Sequence, residues 1–528
     1  MPPSATSATV DVHQDVVRWL QTPAAYPEPP ERVEFVETHI SCVFLAGEQV
    51  FKLKKPVRYD FLDFTTLEQR EQACHEEVRL NRRLAAHIYL GVLAIRRDAD
   101  GAFSWGKGEG EVVDWVVQMQ RLPTHLTLDV LHAQRALKTT HIDQLAQRLV
   151  EFYASLAPLA ITAAEYCSRY EAHVRGNGEA LLAVAHHLPH AMTAVVQSFQ
   201  MQLLRCCPEL FAARVQAGKI YDGHGDLRPE HICFCEPLAI FDCIEFNADF
   251  RRIDVADEHA FLAAECDFIG AAWVGPHLFA RYQALSGDQP PPNLIAFYKT
   301  YRAAVRAKVA ALRADQLTGP AQEAAANEAV KHLQFAAEYA APHVRPLVLI
   351  VGGLSGTGKT TLARAVASLF VAELIRSDVV RQELFPAPVG DPQGDRDIYS
   401  PAARKTAYEE VFARAALFHS QQVSVVLDAT FSQVAVLKQA AAVATDARAI
   451  VLAVECVCSP AVAQERIGCR LQQGDDASEA TLAVWEEQRR TWEPWPDEIP
   501  QCRVDTEQPL TQQVDQVVAE LTRLWKLG

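Results

Sequence analysis

The 528-residue sequence lacks the features that mark membrane, secreted and fibrous proteins. No apolar run reaches the ~18 residues that a membrane-spanning helix needs, and the N-terminal segment has neither the charged nor the apolar region of a signal peptide. No internal repeat is visible. Hydrophobic residues make up 49% and charged residues 22% of the sequence, which excludes a disordered chain, a collagen and a coiled coil. We therefore expect a globular protein of two or three domains.

The sequence also lacks a cysteine framework and an excess of positive charge. It contains thirteen cysteines, but their spacing is not that of a disulfide framework or a zinc ribbon. The closest pairs are Cys206–Cys207, Cys233/Cys235 and Cys456/Cys458. The net charge of -16 argues against bulk coating of nucleic acid, although a local basic groove stays open. We expect a protein of the reducing cytoplasm that does not bind a membrane.

The pattern of elements divides the sequence into two different domains, residues 1–340 and 346–528, joined by a proline-containing linker at 340–346. In the first domain, alternating apolar residues predict a hairpin at 38–45 and 49–53, and a strand at 115–122. Residues 67–86 have the periodicity of a helix. In the second domain, strands predicted at 347–351, 423–427 and 449–457 alternate with helices, which is typical of a parallel α/β sheet.

A phosphate-binding loop is the strongest motif in the second domain. The sequence from Gly353 to Thr360 matches G-x-x-x-x-G-K-[ST], after an apolar strand and before a helical pattern. Backbone N–H groups in such a loop surround phosphate oxygens, the lysine reaches the β- and γ-phosphates, and the threonine hydroxyl binds Mg²⁺. The alternative is an ordinary glycine-rich turn. The predicted nucleotide-binding residues are Gly353, Ser355, Gly356, Thr357, Gly358, Lys359, Thr360 and Thr361.

Two carboxylates follow this loop at positions where phosphoryl transfer requires them. Asp428 ends an apolar strand and is predicted to hold magnesium together with Thr360; a buried structural aspartate is the alternative. Asp378 is predicted to accept the proton of an attacking hydroxyl, with Arg381 steadying the acceptor or a phosphate. A helix N-cap is the alternative role for Asp378.

Two arginines are candidates for closing over the transferred group. Arg466 and Arg470 lie at positions i and i+4 and therefore share one helix face. Such a pair can neutralise the charge of a transferring phosphoryl group, as in a lid. A solvated helix face is the alternative.

Together these motifs resemble the P-loop kinases of the polynucleotide 5′-hydroxyl kinase and zeta-toxin type, over about residues 346–528. The resemblance implies transfer of a phosphoryl group from ATP to a hydroxyl, with Asp378 as the base. It does not select the acceptor, because this group includes kinases of nucleic-acid ends, nucleotide sugars, gluconate and antibiotics. No groove that combines aromatic and basic residues for a single strand is evident.

A second kinase signature lies in the first domain. Protein-kinase-like folds need a catalytic-loop aspartate, a metal ligand five residues later and a second metal-binding aspartate on the next hairpin. Asp226, His231 and Asp242 fall at these offsets, although an ordinary turn remains an alternative. The segment resembles the H-G-D-L-x-x-x-N pattern of the aminoglycoside and choline kinase group. His231 replaces the usual asparagine, and imidazole is a softer metal ligand than an amide oxygen.

Residues upstream and downstream fit the same resemblance over about residues 33–330. Lys52 is identified with the strand lysine that binds the nucleotide phosphates, and Lys54 lies on the same face. Glu77, rather than Glu76, fits the carboxylate that pairs with this lysine. A surface position for the lysines and a solvated helix face for the glutamate are the alternatives. Met119 is predicted within the inter-lobe hinge at 117–123, where backbone groups read adenine, and the run 251–257 resembles a segment that supports the catalytic loop.

The two resemblances predict an α+β bilobal protein-kinase-like domain followed by an α/β P-loop NTPase domain with a parallel sheet. The pair is similar to a tandem class labelled aminoglycoside-phosphotransferase-like plus ATP-binding protein. The leading hypothesis is a bifunctional kinase with ATP and Mg²⁺ at both sites and small-molecule or nucleic-acid-end hydroxyls as acceptors. The alternatives are an N-terminal pseudokinase that regulates the second domain, and a P-loop ATPase switch. Aminoglycosides are disfavoured because no acidic cluster is present, and the oligomeric state stays open.

Overall fold

The computed structural model describes residues 7–59, 62–386, 400–473 and 480–527. Contacts divide the chain into two compact units, each built from two chain segments. Unit 1 comprises Met1–Ile161 and Arg214–Pro291, and unit 2 comprises Thr162–Ala213 and Pro292–Gly528. Among the helices in these described ranges, none is both long and apolar enough to cross a membrane.

Unit 1 is built around an antiparallel sheet of six strands in the order β1-β2-β3-β8-β6-β7. The predicted hairpin is confirmed, since β2 and β3 pair along their whole length. Numbered along the chain, the strands of unit 1 are β1 (Val33–Glu37), β2 (Ser41–Ala46), β3 (Gln49–Lys54), β4 (Arg58–Tyr59), β5 (Leu62–Asp63), β6 (Tyr89–Arg97), β7 (Phe103–Trp105), β8 (Glu111–Gln120), β9 (Ile220–Asp222), β10 (Ile232–Cys233), β11 (Ala239–Ile240) and β12 (Arg252–Asp254).

Helices cover the two faces of this sheet and form a separate core. They are α1 (Ser7–Leu20), α2 (Leu67–Ala85), α3 (Leu128–Ala133), α4 (Thr139–Ala154), α8 (Val255–Phe268) and α9 (Val274–Ser286). Alternation along β3 sends Phe51 and Leu53 into the core with α1. Lys52 and Lys54 therefore point to the opposite face, which α2 covers through Cys74 and Val78. This placement brings the lysines under α2.

Unit 2 contains a parallel five-stranded sheet in the order β14-β15-β13-β16-β17, which confirms the predicted parallel α/β sheet. The central strand β13 is buried along its whole length. The elements of unit 2 are α5 (Ala163–Ala183), α6 (His190–Cys206), the start of α7 (Pro208–Gln216), α10 (Pro292–Asp315), α11 (Gly319–Ala340), β13 (Leu347–Gly352), α12 (Lys359–Phe370), β14 (Glu373–Arg376), α13 (Ser377–Leu384), α14 (Pro401–Ser420), β15 (Val425–Asp428), α15 (Val434–Ala441), β16 (Ile450–Val457), α16 (Pro460–Gln473), α17 (Leu482–Arg490), β17 (Gln501–Asp505) and α18 (Leu510–Leu527).

Helix α6 ties the helical segment of unit 2 to the parallel sheet. Its residues 193–204 are buried without interruption. The hydroxyl of Ser198 lies 3.1 Å from that of Ser424, at the start of β15, and Gln202 accepts a hydrogen bond from the Arg345 backbone N–H at 3.3 Å. The predicted division into functional domains at residues 340–346 stays a prediction. The compact unit 2 contains the parallel sheet and also helices that precede residue 340 in the chain.

Candidate functional sites

The phosphate-binding loop connects β13 to α12 in the geometry that its sequence predicts. Gly356 has a positive φ of +81°, and a Cβ there would lie 2.5 Å from the Ala463 carbonyl oxygen, so only glycine fits. Gly353 and Thr357 hold the turn: the Gly353 N–H donates to the Thr430 carbonyl, and the Thr357 hydroxyl donates to the Leu354 carbonyl. The loop therefore presents its amides at the start of a helix, where the helix dipole favours an anion.

The predicted magnesium ligands meet at the carboxyl ends of two neighbouring strands. Asp428 pairs with Val351 across the β13/β15 ladder, and its Oδ2 accepts a hydrogen bond from the Thr360 hydroxyl at 2.6 Å. Burial raises the pKa of Asp428, while Lys359 and the Thr360 bond oppose that shift. A hydroxyl and a carboxylate are oxygen ligands of the kind that Mg²⁺ prefers. The two side chains present fit a magnesium ion, and its binding by Thr360 and Asp428 stays a prediction.

Asp378 and Arg381 form an ion pair beside this centre. Their Oδ1 and Nη1 atoms lie 2.7 Å apart, one turn apart on α13. The N-cap of α13 is Arg376, whose side chain makes no capping bond, so the N-cap role considered for Asp378 is wrong. Arg376 was not predicted as a site residue. Its Nε lies 3.4 Å from Asp428 Oδ2, because β14 ends beside β15.

The two predicted lid arginines lie on α16 and are held by backbone groups. Arg466 donates to the hydroxyl of Thr506 at 3.0 Å and to its carbonyl at 2.9 Å. Arg470 donates to the Ala480 carbonyl at 2.8 Å. Both arginines line the cavity described next, so a merely solvated helix face does not describe them. Closure over a phosphoryl group stays a prediction.

One large cavity in unit 2 connects these groups. Its volume is about 1310 Å³. The predicted residues that line it are Ser355, Gly356, Gly358, Lys359, Thr360, Thr361, Asp378, Arg381, Asp428, Arg466 and Arg470. Lys359 Nζ donates to the Leu354 carbonyl at 2.8 Å. Gln488 was missed by the sequence prediction. Its side-chain oxygen accepts the Ser355 N–H at 2.9 Å, and nothing in the local pattern of α17 signals this contact.

In unit 1, a network of buried charges joins β3 to α2. Lys52 Nζ lies 2.9 Å from Glu77 Oε1, and Lys54 bonds to both Glu77 and Glu245. Glu77 belongs to the same face of α2 as the core residues of that helix, so it points at the sheet. Burial would raise the pKa of Glu77, but Lys52 and Lys54 outweigh it and lower that pKa. Lys54 is fully buried, which leaves Lys52 as the lysine that can reach a ligand.

Lys52 also connects this network to the predicted metal-binding aspartate. Its Nζ lies 2.7 Å from Asp242 Oδ1. Desolvation would raise the pKa of Asp242, but Lys52 and His231 outweigh it and hold that pKa well below its usual range. The Asp242 carboxylate is therefore charged at neutral pH. A charged carboxylate next to a lysine can hold a metal ion and its bound anion: the carboxylate binds the metal and the lysine binds the anion.

His231 occupies one defined tautomer between the two predicted aspartates. Its Nδ1 lies 2.9 Å from the Asp226 carbonyl oxygen, which can only accept, so Nδ1 carries the hydrogen. The other nitrogen, Nε2, accepts from Arg228 at 3.1 Å and lies 3.6 Å from Asp242 Oδ2. The side chain of Asp226 pairs with Arg228 Nε at 3.2 Å. All three predicted residues thus lie in one cluster.

The loop that carries Asp226 rests on a residue that the sequence did not predict. The carboxylate of Glu258 on α8 accepts hydrogen bonds from the backbone N–H groups of His224 and Gly225. A Cβ at Gly223 would come within 2.8 Å of this carboxylate, so glycine permits the close approach. The hydroxyl of Tyr153 donates to Glu258 as well. Glu258 is a positioning residue for the loop that carries Asp226.

The predicted supporting run at 251–257 is divided between two tasks. Arg251 donates to Asp222 at 2.7 Å and to the Ile244 carbonyl at 2.9 Å, which ties the strands around the loop together. Asp254 caps α8 and pairs with Arg214. The Arg251 carbonyl also accepts a hydrogen bond from the Gly223 N–H at 2.8 Å, directly before the loop residues that Glu258 binds. The sequence feature that could have indicated Glu258 is its position one helical turn after Asp254, the N-cap of α8.

Met119 lies inside the central strand β8 rather than beyond its end. It pairs with Val50 of β3 on one side and with Tyr89 of β6 on the other, and its side chain is buried. The Arg121 N–H donates to the Glu48 carbonyl at 2.8 Å. Reading of adenine by the 117–123 segment stays a prediction.

Unit 1 should lose stability as the pH falls. Burial lowers the pKa of His224 to about 4 and that of His259 to about 3, below the ordinary value of 6.5. The unfolded chain therefore binds more protons below pH ~6.5, and stability decreases on acidification by up to about 1.4 kcal/mol per pH unit for each histidine. Urea unfolding of the full chain at about pH 7 and about pH 5 measures this loss.

His259→Phe is the matched variant for this prediction. His259 lies outside the predicted site and packs against the ring of Tyr282, with ring centroids 4.3 Å apart. The variant should lose less stability than the wild-type chain between the two pH values, because one titrating group is gone. An equal loss in both proteins would show that the buried imidazole does not control acid stability.

Comparison with known proteins gives related chains of almost the same length. The sequence is 34% identical over 494 residues to an uncharacterized protein of Mycobacterium tuberculosis (strain H37Rv), covering 92% of this chain and 94% of the relative. A protein of Mycobacterium bovis, also uncharacterized, matches with the same values. The chain belongs to their family. In this chain, residues 348–495 match a family model described as an AAA domain.

Similar solved structures each cover about a third of this chain. A gluconokinase from Sinorhizobium meliloti 1021 has 19% identity and a TM-score of 0.26, and it covers 35% of this chain and 96% of its own. The Mycobacterium tuberculosis APS kinase in complex with AMPPNP and APS has 19% identity and a TM-score of 0.26, with coverages of 34% and 97%. Chaetomium thermophilum Kti12 in complex with ADP-AlF3 has 20% identity and a TM-score of 0.27, with coverages of 34% and 99%.

Proposed function

We propose that unit 2 transfers the γ-phosphoryl group of ATP to a hydroxyl acceptor. One observation carries the proposal: a single cavity contains the phosphate-binding loop, the Thr360–Asp428 pair and the Asp378–Arg381 pair. A nucleotide switch needs only the first two. A carboxylate that faces the same cavity at a separate position is what an acceptor hydroxyl requires of a base.

Each group of unit 2 has a distinct task in this reaction. The loop amides and Lys359 bind the phosphates, and Thr360 and Asp428 would hold Mg²⁺, which supplies charge neutralisation at the β- and γ-phosphates. Asp378 accepts the proton of the acceptor hydroxyl. Arg381 keeps the Asp378 carboxylate oriented through their 2.7 Å ion pair. Catalysis then rests on positioning and on fixed positive charge.

We further propose that unit 1 is a protein-kinase-like phosphotransferase with its own ATP site. The support is the meeting of Lys52, Glu77 and Asp242 with the loop that carries Asp226. Lys52 binds nucleotide phosphates, Glu77 orients Lys52, and Asp226 orients the acceptor hydroxyl. Acceptors of the two units are small molecules or nucleic-acid ends that carry a hydroxyl.

A regulatory, inactive unit 1 is the second candidate, and specific contacts favour it. Asp226 is paired with Arg228, and Lys52 is paired with Asp242 as well as with Glu77, so both side chains are already engaged. His231 provides a nitrogen where an amide oxygen would suit Mg²⁺ better. A nucleotide-binding unit without turnover would then act on unit 2.

A transfer assay on the full chain tests both proposals. Labelled ATP and Mg²⁺ are supplied with 5′-hydroxyl oligonucleotides, nucleosides, sugars and nucleotide sugars. Products that disappear in Asp226→Ala but persist in Asp378→Asn assign turnover to unit 1 and exclude the regulatory alternative. Products lost in Asp378→Asn alone assign turnover to unit 2. Transfer that survives both substitutions contradicts the assignment of these aspartates.

The metal preference of unit 1 should depend on His231. Replacing it in His231→Asn exchanges an imidazole nitrogen for an amide oxygen, a harder ligand that suits Mg²⁺. We expect the Mg²⁺ concentration for half-maximal unit 1 activity to fall about tenfold. Titration of activity with Mg²⁺ and separately with Mn²⁺ measures the change. A loss of activity with both metals would show instead that the imidazole is needed to hold the Asp226 loop.

A further inference from the structure

The cavity of unit 2 has room for more than a nucleotide. Pockets for drug-sized ligands usually measure about 300–1,000 Å³, and this cavity measures about 1310 Å³. The phosphate-binding loop forms one end. The other end is formed largely by α13, α14 and α15, and it contains Asp378, the proposed base. The acceptor must occupy this second end, because its hydroxyl has to reach Asp378.

One positive charge at the acceptor end has no partner among the residues that the structure describes. Arg404 lines the cavity from α14, and its side chain makes no hydrogen bond or ion pair with any residue in the described ranges. The neighbouring charges are compensated: Arg381 pairs with Asp378 at 2.7 Å, and Lys405 pairs with Glu409 at 3.8 Å. Among the described side chains of the acceptor end, the Arg404 guanidinium is therefore uncompensated.

Arg404 also lies close to the proposed base. It precedes Tyr408 by one helical turn, so the two side chains share a face of α14. Burial raises the pKa of the Tyr408 hydroxyl, and Arg381, Asp378 and Arg404 all act on it as well. Arg381, Asp378 and Arg404 thus all lie near the Tyr408 hydroxyl, which accepts a hydrogen bond from the Phe431 N–H at 3.3 Å. Tyr408 stacks on Phe412 at 5.9 Å between ring centroids, which gives this wall of the cavity an aromatic surface.

We propose that the acceptor of unit 2 carries an oxyanion, a phosphate or a carboxylate, and that Arg404 binds it. The proposal rests on the kinase function proposed above for this site. A planar guanidinium binds two oxygens of such a group at once. A polycation is rejected by the same charge. While Arg404 holds the oxyanion, a hydroxyl of the acceptor gives its proton to Asp378 and forms the new O–P bond, and the bond from the γ-phosphorus to ADP breaks.

Binding of inorganic phosphate tests the site without turnover. The full chain is saturated with AMP-PNP and Mg²⁺, so that the phosphate-binding loop is occupied, and phosphate binding is followed by ³¹P NMR. Arg404→Gln should weaken phosphate binding about tenfold or more, since a charge-assisted hydrogen bond is lost. Arg414→Gln is the matched control, because Arg414 lies on the same helix but pairs with Glu410 and Glu383 outside the cavity. Equal phosphate binding in the wild-type chain and Arg404→Gln overturns the proposal.

Paired acceptors test the same idea in turnover. Ribose 5-phosphate is compared with ribose, and gluconate with glucose, which separates a phosphate from a carboxylate. In one of the two pairs, the charged compound should have a kcat/KM at least about tenfold higher than the neutral compound. Arg404→Gln should remove this preference by raising the KM of the charged compound. If phosphate binds at Arg404 but no compound is phosphorylated, the kinase function fails and the oxyanion site stands. If the neutral members react better and phosphate does not bind, the kinase function stands and this inference fails.

Discussion

Lys359→Ala should lower phosphoryl transfer by unit 2 about 10²–10³-fold while transfer by unit 1 continues. Removing one preorganised group that stabilises developing charge has this effect in other enzymes, and Lys359 is the only lysine of the phosphate-binding loop. Its Nζ bonds to the Leu354 carbonyl and lies close enough to Asp428 to oppose the raised pKa of that carboxylate. We therefore expect the lysine to balance the charge of the phosphates and of Asp428, the predicted magnesium ligand.

The assay for this prediction follows the products of each unit in the full chain. Lys438→Ala is the matched control, since Lys438 lies on the surface of α15 and pairs with Glu498 at 3.0 Å. It should retain wild-type rates with every acceptor. Loss of both activities in Lys359→Ala would show that the two sites do not work independently. Retained transfer to every acceptor would show that the phosphate-binding loop is not a site of transfer.

A fragment of residues 346–528 should not fold stably, although it contains every motif of the P-loop domain. Helix α6 buries its residues 193–204 within unit 2. The hydroxyl of Ser424 bonds to the Leu347 N–H and also lies 3.1 Å from the hydroxyl of Ser198. The fragment would leave these polar groups and the apolar surface under α6 uncovered. Each large apolar side chain returned to water costs about 1.5–3 kcal/mol, so a few of them exceed the usual stability of a domain.

Co-expression gives the matched control for the fragment. Residues 292–528 are expressed with residues 162–213, which restores both chain segments of unit 2. We expect this pair to remain in solution and to bind AMP-PNP, whereas residues 346–528 alone aggregate or unfold at a much lower temperature. Equal unfolding midpoints and equal AMP-PNP affinities in the two preparations would show that the helical segment is not part of the core.

The division of the chain shows what local patterns can and cannot predict. Proline at 342 and 346, with the change to alternating strands and helices, correctly indicates where the parallel sheet begins. The same pattern contains no information about which helices pack on that sheet. Helix α6 precedes β13 by more than a hundred residues, and its contacts form only through long-range packing.

The choice between Lys52 and Lys54 illustrates a similar limit. Alternation along a strand places both lysines on one face, and the sequence alone favours Lys52 only by resemblance. The structure shows that Lys54 is fully buried between Glu77 and Glu245, while Lys52 reaches Asp242 at 2.7 Å. The difference arises from α2 and from the segment at 242–245, both outside β3 in the sequence.

The sequence by itself determined those parts of the sites that are contiguous along the chain. The phosphate-binding loop, the Asp378–Arg381 turn and the Asp226–His231 spacing each lie within a few residues, so local steric and hydrogen-bonding rules define them. Only the tertiary structure decided that Glu258 holds the Asp226 loop, that Gln488 holds Ser355, and that Arg404 has no partner among the described residues. Such contacts join segments far apart in the chain, and folding brings them together through the packing of whole helices and strands.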